Sequence, residues 1–241
     1  MNISFDEFRR RIEFSMVSHI INEEEARINC ENAVEAKVGV ICVNPPHVSL
    51  SKKIIGNKKI DLSVNVGFPF GSHVTEAKVV EAKQGIKDGA NQIDMVINVG
   101  ALRSGKYNKV LEDIKAVVEA SPGCLVKVII EAWVLNENEK IRACRLVEKA
   151  GAHLVKTTTG VKTQYIKRFC KCDNPKGATV EDIALFRKIL SPHMRIKASG
   201  GVYTLEDAFE MIKAGADQLG VSKGIELIAE FKEKYKEGTE I

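Results

Sequence analysis

The sequence predicts an α/β fold in which eight parallel strands alternate with helices and close into one (β/α)₈ barrel. The first observation is a repeated junction, where an amphipathic stretch ends near a glycine and an apolar, β-rich run follows. The second is the number of strand candidates, which is eight. The third is size: eight such units in 241 residues favour a closed barrel over an open doubly wound sheet, the main alternative.

The junction occurs four times, in EAKVGVICVN (35–44), IKDGANQIDMVIN (86–98), EKAGAHLVKT (148–157) and IKAGADQLGVS (212–222). Lysine in the last helical turn suits the helix dipole, and glycine just after it supplies a left-handed C-cap. The glycines are Gly39, Gly89, Gly151 and Gly215. Four glycines in one frame indicate a helix-to-strand unit rather than four unrelated surface turns.

Strands are predicted at 16–20, 38–43, 60–66, 92–97, 125–131, 152–157, 194–199 and 217–222. Stretches with apolar residues at helical spacing and acidic residues near their start lie between them, at 73–89, 136–151, 178–190 and 204–215. FDEFRRRIEF (5–14) is predicted as an additional N-terminal helix. No linker or charge block divides the chain, so residues 1–241 are expected to form a single domain.

The charge pattern limits the partners that the protein can have. The 36 basic and 32 acidic residues are interspersed, and no basic stripe or interleaved aromatic pattern indicates nucleic-acid binding. The first twenty residues carry charges throughout, and no segment reaches the length of a membrane span. We therefore expect a cytoplasmic protein with neither nucleic acid nor membrane as partner.

The cysteines stand in unrelated contexts and are expected to be reduced thiols: Cys30, Cys42, Cys124, Cys144, Cys170 and Cys172. Cys170 and Cys172 form a Cys-x-Cys pair, but no second pair or nearby histidine completes a metal-ligand set. No metal site is predicted.

Polar residues end several of the predicted strands, and in a (β/α)₈ barrel these carboxyl ends carry the chemistry. Asp94 and Asn98 share one face of the fourth strand by the two-residue period. The fifth strand ends at Glu131, the sixth at Lys156 and the seventh at Lys197.

Lys156 and Lys197 on adjacent strands, with Asp94 facing inward, predict an imine-forming enzyme. A lysine with the ordinary pKa of about 10.4 is almost fully protonated at neutral pH and is a poor nucleophile. A neighbouring cation and loss of solvent lower that pKa and release the amine. The alternative for each lysine alone is a side chain that reaches solvent or pairs with a carboxylate.

Two glycine-containing turns predict an anion site beside these lysines. SGGVYT (199–204) and LGVSKG (219–224) each follow a predicted strand and open a helix. Backbone N–H groups at helix starts bind anions, and the loops after strands seven and eight commonly hold phosphate in such barrels.

Seven segments together resemble the deoxyribose-phosphate aldolase family of class I aldolases, in the family's order from the second strand to the seventh: ICVNPPHV (41–48), VNVGFPFG (64–71), residues 75–105, KVIIEA (127–132), GAHLVKTTTG (151–160), GATVEDIALFR (177–187) and IKASGGVYT (196–204). The resemblance implies reversible cleavage of 2-deoxy-D-ribose 5-phosphate to acetaldehyde and D-glyceraldehyde 3-phosphate, without metal or organic cofactor. It also implies a homo-oligomer.

The resemblance implies a role for each matching residue. Lys156 matches the Schiff-base lysine, Lys197 the second lysine that perturbs it, and Asp94 the aspartate that relays protons. The positions that match those holding the phosphate are Gly160, Gly200, Gly201, Gly220 and Ser222.

The chain also departs from the family pattern. SHI (18–20) stands in the place of the family's Asp-His-Thr triplet, so that Ser18 and Ile20 replace two polar groups. Tyr203 stands where arginine is frequent, so the phosphate charge is met by Lys223 or Lys162, or is met less well than in the family. Ala132 and Trp133 follow the strand-five glutamate, where threonine is common.

A loop predicted at 161–176 is longer than the family's usual short turn. It carries Lys162, Lys167, Arg168, Lys171 and Lys176. It is either a solvated insertion or a lid that binds a further anionic group.

Three functions are consistent with these features. The first is cleavage of deoxyribose 5-phosphate, and the second is a related lysine aldolase acting on a different phosphorylated sugar or a ketone donor. The third is a non-catalytic barrel that binds a sugar phosphate. Retention of both lysines and the aspartate favours an enzyme.

Overall fold

The computed structural model describes residues 1–162 and 177–241. The strands in chain order are β1 (Asn2–Ser4), β2 (Ile12–Met16), β3 (Val40–Val43), β4 (Asp61–Val66), β5 (Gln92–Val96), β6 (Leu125–Ile129), β7 (Leu154–Lys156), β8 (Arg195–Ser199), β9 (Gln218–Val221) and β10 (Gly238–Glu240). Strands β2 to β9 form a closed barrel in sequence order, in which every neighbouring pair is parallel. The predicted barrel is confirmed.

The described α-helices are α1 (Phe5–Arg11), α2 (Glu23–Glu35), α3 (Val48–Ile55), α4 (Thr75–Lys87), α5 (Val99–Arg103), α6 (Tyr107–Glu119), α7 (Glu137–Lys149), α8 (Val180–Ile189), α9 (Leu205–Lys213) and α10 (Gly224–Tyr235). Short 3₁₀ turns lie at Pro45–His47 and Ala132–Val134. Within these residues, no helix combines the length and the apolar character needed to cross a membrane. Of the predicted loop 161–176, residues 163–176 lie outside the described residues, together with Cys170 and Cys172.

The barrel register places the polar strand residues side by side. Asp94 on β5 pairs in register with Lys127 on β6, and Lys156 on β7 pairs with Lys197 on β8. Closure brings Glu13 on β2 beside Gly220 on β9. Because register partners project to the same side of a sheet, the two lysines point together into the barrel.

The first barrel strand lies earlier than predicted. The helix predicted at 5–14 ends at Arg11, and the strand predicted at 16–20 spans Ile12–Met16. The charge of Glu13 made this run look like the end of an amphipathic helix. Glu13 is instead buried inside the barrel, and the outer face of the strand packs on α10, where Gly224 approaches Ile12 and Phe14.

One of the four junction glycines has a different role from the predicted C-cap. Gly89, Gly151 and Gly215 have positive φ, as predicted, but at the end of α2 the left-handed residue is Lys37. Gly39 is required for close approach, because a Cβ there would lie 2.1 Å from the carbonyl oxygen of Arg10. The short contact lets the α1–β2 turn lie against the start of β3.

An aromatic cluster joins α1 to the last two helices. Phe8 stacks on Phe231 with 4.5 Å between ring centroids and meets the edge of Phe209 at 6.0 Å. Phe5 and Tyr235 extend the cluster, each against Phe231. Beside it, β1 pairs with β10 in an antiparallel two-stranded sheet. The additional N-terminal helix is therefore packed firmly against the barrel's helical layer.

Candidate active site

The interior of the barrel holds charged side chains where most barrels pack aliphatic ones. Five strands each contribute one buried charged residue: Glu13 from β2, Asp94 from β5, Lys127 from β6, Lys156 from β7 and Lys197 from β8. All five are at most 3% exposed. We call them the barrel network.

The barrel network is one continuous chain of ion pairs. Lys127 Nζ donates to Glu13 Oε2 at 2.6 Å, and Lys197 Nζ donates to Glu13 Oε1. Lys197 Nζ also donates to Asp94 Oδ2 at 2.8 Å, and Lys156 Nζ donates to the same oxygen at 2.8 Å. The order is therefore Lys127, Glu13, Lys197, Asp94 and Lys156.

The network contains three lysines and only two carboxylates, so full ionisation would leave an excess positive charge in a buried space. Such a charge is costly, and the group that loses its proton most easily relieves it. Lys197 lies between two carboxylates. Lys127 does not share Glu13 Oε2 with Lys197, and it also donates to Gln92 Oε1 at 3.0 Å. Lys156 contacts one carboxylate oxygen, which it shares with Lys197. Lys156 is therefore the ammonium group that the network stabilises least.

The pKa shifts follow this order. Burial lowers the pKa of Lys156, and Lys197 lowers it further, while Asp94 acts in the opposite direction without restoring the ordinary value. Burial also disfavours the charged form of Lys197, but Asp94 and Glu13 together raise its pKa above the ordinary value. Burial raises the pKa of Asp94, and Lys156 and Lys197 more than offset this, so the carboxyl stays ionised. The arrangement provides one reactive amine beside one lysine that favours its charged form.

Lys156 lies at the floor of a cavity of about 490 Å³. The described lining comes from the carboxyl ends of β2, β7, β8 and β9, from the segments that follow them and from one residue of α2: residues 14–19, 21, 29, 156, 159–161, 199–203 and 220–222. Asp94 and Lys197 are fully buried beneath Lys156 and do not line the cavity. A molecule in the cavity can therefore contact Lys156, whereas Asp94 and Lys197 lie outside the described lining.

Most residues predicted to hold phosphate face this cavity. Its described lining includes Gly160, Gly200, Gly201, Gly220 and Ser222. The structure does not bring Lys223 or Lys162 into the described lining. Lys223 is exposed, because the chain has already turned into α10 there and Lys223 is its N-cap residue.

The two helix starts beside the cavity differ. Thr204 caps α9 and forms a capping box with Asp207, whose carboxylate accepts hydrogen bonds from the backbone N–H groups of Tyr203 and Thr204. No described side chain caps α10. Because uncapped backbone N–H groups attract anions, the start of α10 is the better anion site of the two.

A family model described as DeoC/LacD family aldolase matches residues 10–228. The chain belongs to this family of aldolases. A curated relative from Thermococcus gammatolerans, named deoxyribose-phosphate aldolase, is 45% identical over 203 residues, covering 83% of this chain and 85% of the relative. The predicted family and the predicted enzyme class are confirmed.

Solved structures of aldolases superpose on the whole barrel. One aldolase structure matches with a TM-score of 0.86 and 34% identity, covering 95% of this chain and 97% of the other. A tetrameric deoxyribose phosphate aldolase from Aeropyrum pernix matches with a TM-score of 0.83 and 27% identity, covering 95% of this chain and 92% of the other.

The corrected position of the first strand changes the comparison with the aldolase family. The sequence places residues 18–20 opposite the family's Asp-His-Thr triplet, but in the structure Ser18 and Ile20 follow the strand and are exposed. Within β2, Glu13 and Ser15 provide an acid followed two residues later by a hydroxyl. Glu13 lies in the barrel network and Ser15 lines the cavity, so the polar groups expected from this strand are present.

Two residues of the network, Glu13 and Lys127, escaped prediction from the sequence. Lys127 stands in the middle of the apolar run LVKVII, where a lysine is as unusual as at a strand end. This position in an apolar run is therefore a sequence signal that predicts a buried lysine at 127. Glu13 was hidden by its assignment to a helix.

Asn98, predicted at a strand end, and two of the three consecutive threonines at 157–159 have structural partners and do not line the cavity. Asn98 caps α5 by accepting a hydrogen bond from the N–H of Ala101. Thr157 and Thr158 are buried and donate to the carbonyl oxygen of Ser199, so only Thr159 of the three threonines lines the cavity.

A cation would fit the barrel network poorly. Glu13, Cys42 and Asp94 could bring three ligand atoms within 4.8 Å of one another. Both carboxylates already bind lysine ammonium groups, and burial raises the pKa of the Cys42 thiol to about 12, so that the thiol stays protonated. The donor set therefore suits protons better than a metal ion.

Proposed function

We propose that this protein cleaves 2-deoxy-D-ribose 5-phosphate reversibly to acetaldehyde and D-glyceraldehyde 3-phosphate through a Schiff base on Lys156. The observation that carries the proposal is the position of Lys156, at the open end of a network with more lysines than carboxylates. The name of the 45% identical relative supports the substrate.

Lys156 is the proposed nucleophile. Its neutral amine attacks the aldehyde carbon C1 of the open-chain sugar, and the resulting carbinolamine loses water to give the imine. Lys197 stays charged, because it lies between two carboxylates, and it disfavours a second positive charge on Lys156.

Acetaldehyde contains carbons C1 and C2, so the bond that breaks is C2–C3. A base removes the proton of the C3 hydroxyl, and C3 becomes the aldehyde carbon of glyceraldehyde 3-phosphate. The C2–C3 bonding electrons pass into the protonated imine, which becomes a neutral enamine. Protonation at C2 and hydrolysis of the imine then release acetaldehyde and restore Lys156.

Asp94 and Lys197 are the proposed proton carriers. Oxygen Oδ1 of Asp94 is buried without a hydrogen-bond partner in the described part of the chain. A buried unpaired acceptor calls for a donor, which a bridging water between Asp94 and the substrate would provide. Asp94 and Lys197 would then pass protons through this water, since neither reaches the cavity directly.

The phosphate end is proposed to lie against the glycine-containing segments at the carboxyl ends of β7, β8 and β9. Gly160, Gly200, Gly201 and Gly220 allow the backbone to approach a ligand closely, and Ser222 adds a hydroxyl. In this arrangement backbone N–H groups and the start of α10 bind the phosphate, rather than Lys223.

The decisive experiment traps the imine. Borohydride reduction in the presence of acetaldehyde is expected to add one ethyl group to Lys156, located by peptide mass spectrometry. The Lys156→Ala variant should remain unlabelled and inactive. Labelling of Lys197 in the wild-type protein, or full activity of Lys156→Ala, would contradict the proposal.

A donor panel separates this function from a related lysine aldolase. The exposed Tyr203 in the lining, where the family often has arginine, is the observation that favours a different substrate. Trapping with dihydroxyacetone or its phosphate, but not with acetaldehyde, would identify a ketone donor. Tight binding of sugar phosphate without any imine would identify a non-catalytic barrel.

We also propose that the protein is a homo-oligomer, because the matching aldolase from Aeropyrum pernix is tetrameric. Large apolar side chains such as Phe70 and Val74 are more than 60% exposed, which is consistent with a covered face. Light scattering after size-exclusion chromatography tests this. The cytoplasmic location stays a prediction.

A further inference from the structure

Glu131 is a buried carboxylate that the proposed reaction does not use. It follows β6 and has a φ of 55°, a left-handed conformation that is uncommon for residues other than glycine. Three donors converge on it: the backbone N–H of Thr159 at 2.7 Å, the hydroxyl of Thr159 at 2.9 Å and the indole N–H of Trp133 at 2.6 Å.

The backbone on each side of Glu131 extends the pairing of β6 with β7 beyond the strands. The N–H of Ile130 donates to the carbonyl oxygen of Lys156 at 3.0 Å, and the N–H of Ala132 donates to that of Thr157 at 2.8 Å. The backbone of residues 130–132 is therefore hydrogen-bonded to the main chain of Lys156 and Thr157. The Glu131 side chain adds hydrogen bonds to Thr159.

The segment held in this way forms one wall of the cavity. Thr159 and Gly160 both line it, and Gly160 has a φ of 76°. The Thr159 hydroxyl also accepts a hydrogen bond from the N–H of Val161 at 3.2 Å. A shift of Thr159 would therefore move the backbone that the proposed phosphate site uses.

We propose that Glu131 is a positioning residue that fixes the Thr159–Gly160 turn for the phosphate end of the substrate, and that Trp133 reports the state of this turn. The inference rests on the proposed function, since it assigns the phosphate to this part of the cavity.

The chemistry of the three partners explains why this position needs a carboxylate. All three partners are donors, and an ionised carboxylate offers enough acceptor sites for each of them. Glutamine has the same shape, but its NH₂ group would face at least one donor. Burial raises the pKa of Glu131, and the donors and Lys156 counter this by favouring its charged form.

The first test compares two sugars in the Glu131→Gln variant. The KM for 2-deoxyribose 5-phosphate should rise about tenfold, the change that follows from losing a hydrogen bond to a charged group. The kcat/KM for unphosphorylated 2-deoxyribose should change much less. The Trp133→Phe variant keeps both Thr159 contacts, so its KM should change by only about twofold.

The second test reads the turn directly. Trp133 is the single tryptophan of the chain, so its fluorescence reports this position alone. Glyceraldehyde 3-phosphate should change the emission saturably, in the wild-type protein and in Lys156→Ala, and about tenfold more ligand should be needed in Glu131→Gln. Because Lys156→Ala forms no imine, the emission change in this variant tests the role of Glu131 even if the Schiff-base proposal is wrong.

Three outcomes would overturn the inference. One is an unchanged KM in Glu131→Gln with only a lower melting temperature, which indicates a purely structural role. Another is an equal loss of kcat/KM for both sugars. The last is emission that does not respond to glyceraldehyde 3-phosphate at saturating concentration. Circular dichroism confirms that each variant is folded before the kinetics are compared.

Discussion

Buried lysines occur in two regions of this molecule, and the regions handle the charge in different ways. Outside the barrel, Lys78 of α4 is fully buried and donates to Asp113 of α6 at 2.6 Å and to the carbonyl oxygen of Val96 at 2.9 Å. Thr75 donates to the other oxygen of Asp113 at 2.8 Å. One cation meets one anion, and both carboxylate oxygens are used.

Inside the barrel the numbers of positive and negative side chains are unequal. Three lysines share two carboxylates, one oxygen of Asp94 has no partner in the described part of the chain, and Lys156 opens onto a cavity. Burial alone therefore does not distinguish a reactive lysine from a structural one. The distinguishing features are an excess of cations, an unused acceptor and access to a ligand.

The largest expected effect is the loss of activity in Lys156→Ala, on the order of 10⁴-fold or more in kcat, because the proposed nucleophile is removed. Its stability should stay close to that of the wild-type protein, since Asp94 keeps Lys197 as a partner. Steady-state kinetics and thermal denaturation measure both quantities. If Lys156→Ala is strongly destabilised but still active, Lys156 is a structural lysine and not the reactive one.

The opposite result is expected for Lys78→Met. Breaking a buried pair leaves Asp113 without its cation, and such changes cost about 3–5 kcal/mol in the free energy of unfolding. Activity per folded molecule should change only a few-fold, because Lys78 lies outside the cavity. Urea denaturation measures the free energy of unfolding, and kinetics normalised by active-site titration measure the activity per folded molecule. If Lys78→Met abolishes activity in a fully folded protein, the Lys78 pair is not merely structural.

A smaller effect is expected in the pH profile of Lys197→Met. The Lys197 cation lowers the pKa of Lys156, so its removal raises that pKa. Below its pKa the amine is protonated and cannot attack, so the acid limb of kcat/KM should move to higher pH, by about one unit or more.

The same profile measured on Lys78→Met provides the matched control, and its acid limb should not move. An acid limb that stays in place in Lys197→Met, or moves to lower pH, would contradict the role assigned to Lys197.

The smallest effect is expected for Lys223→Ala. Lys223 is exposed and lies outside the described cavity lining, so the KM for deoxyribose 5-phosphate should change by less than about twofold, as is usual for a solvent-screened charge. Kinetics at two ionic strengths test this. A tenfold rise in KM would show that Lys223 reaches the phosphate after all.

Much of the barrel could be predicted because local patterns determine it. Glycine after a lysine-containing helix end locates all four helix-to-strand junctions, although only three of the glycines are left-handed, and apolar runs locate seven of the eight barrel strands. The position of the first strand was predicted wrongly because Glu13, as a charged residue, is expected to face solvent. Its burial depends on Lys127 and Lys197, which are far away in the chain.

The candidate site was predictable only where a residue stands out in its local context. Lys156 and Lys197 stand out because they end apolar strands, and the family resemblance supports them. The Lys78 pair does not stand out, because a lysine on an amphipathic helix ordinarily faces water. Only the packing of α4 on α6 shows that Lys78 is buried.

The aromatic cluster of Phe5, Phe8, Phe209, Phe231 and Tyr235 has a consequence for how the chain reaches this structure. Phe8 and Phe231 stack although they lie at opposite ends of the sequence, and β2 must find β9 to close the ring. Contacts between distant segments form slowly, because a long loop must close first. During synthesis β2 emerges long before β8 and β9, so Glu13 can complete the barrel network only after Lys197 has been made.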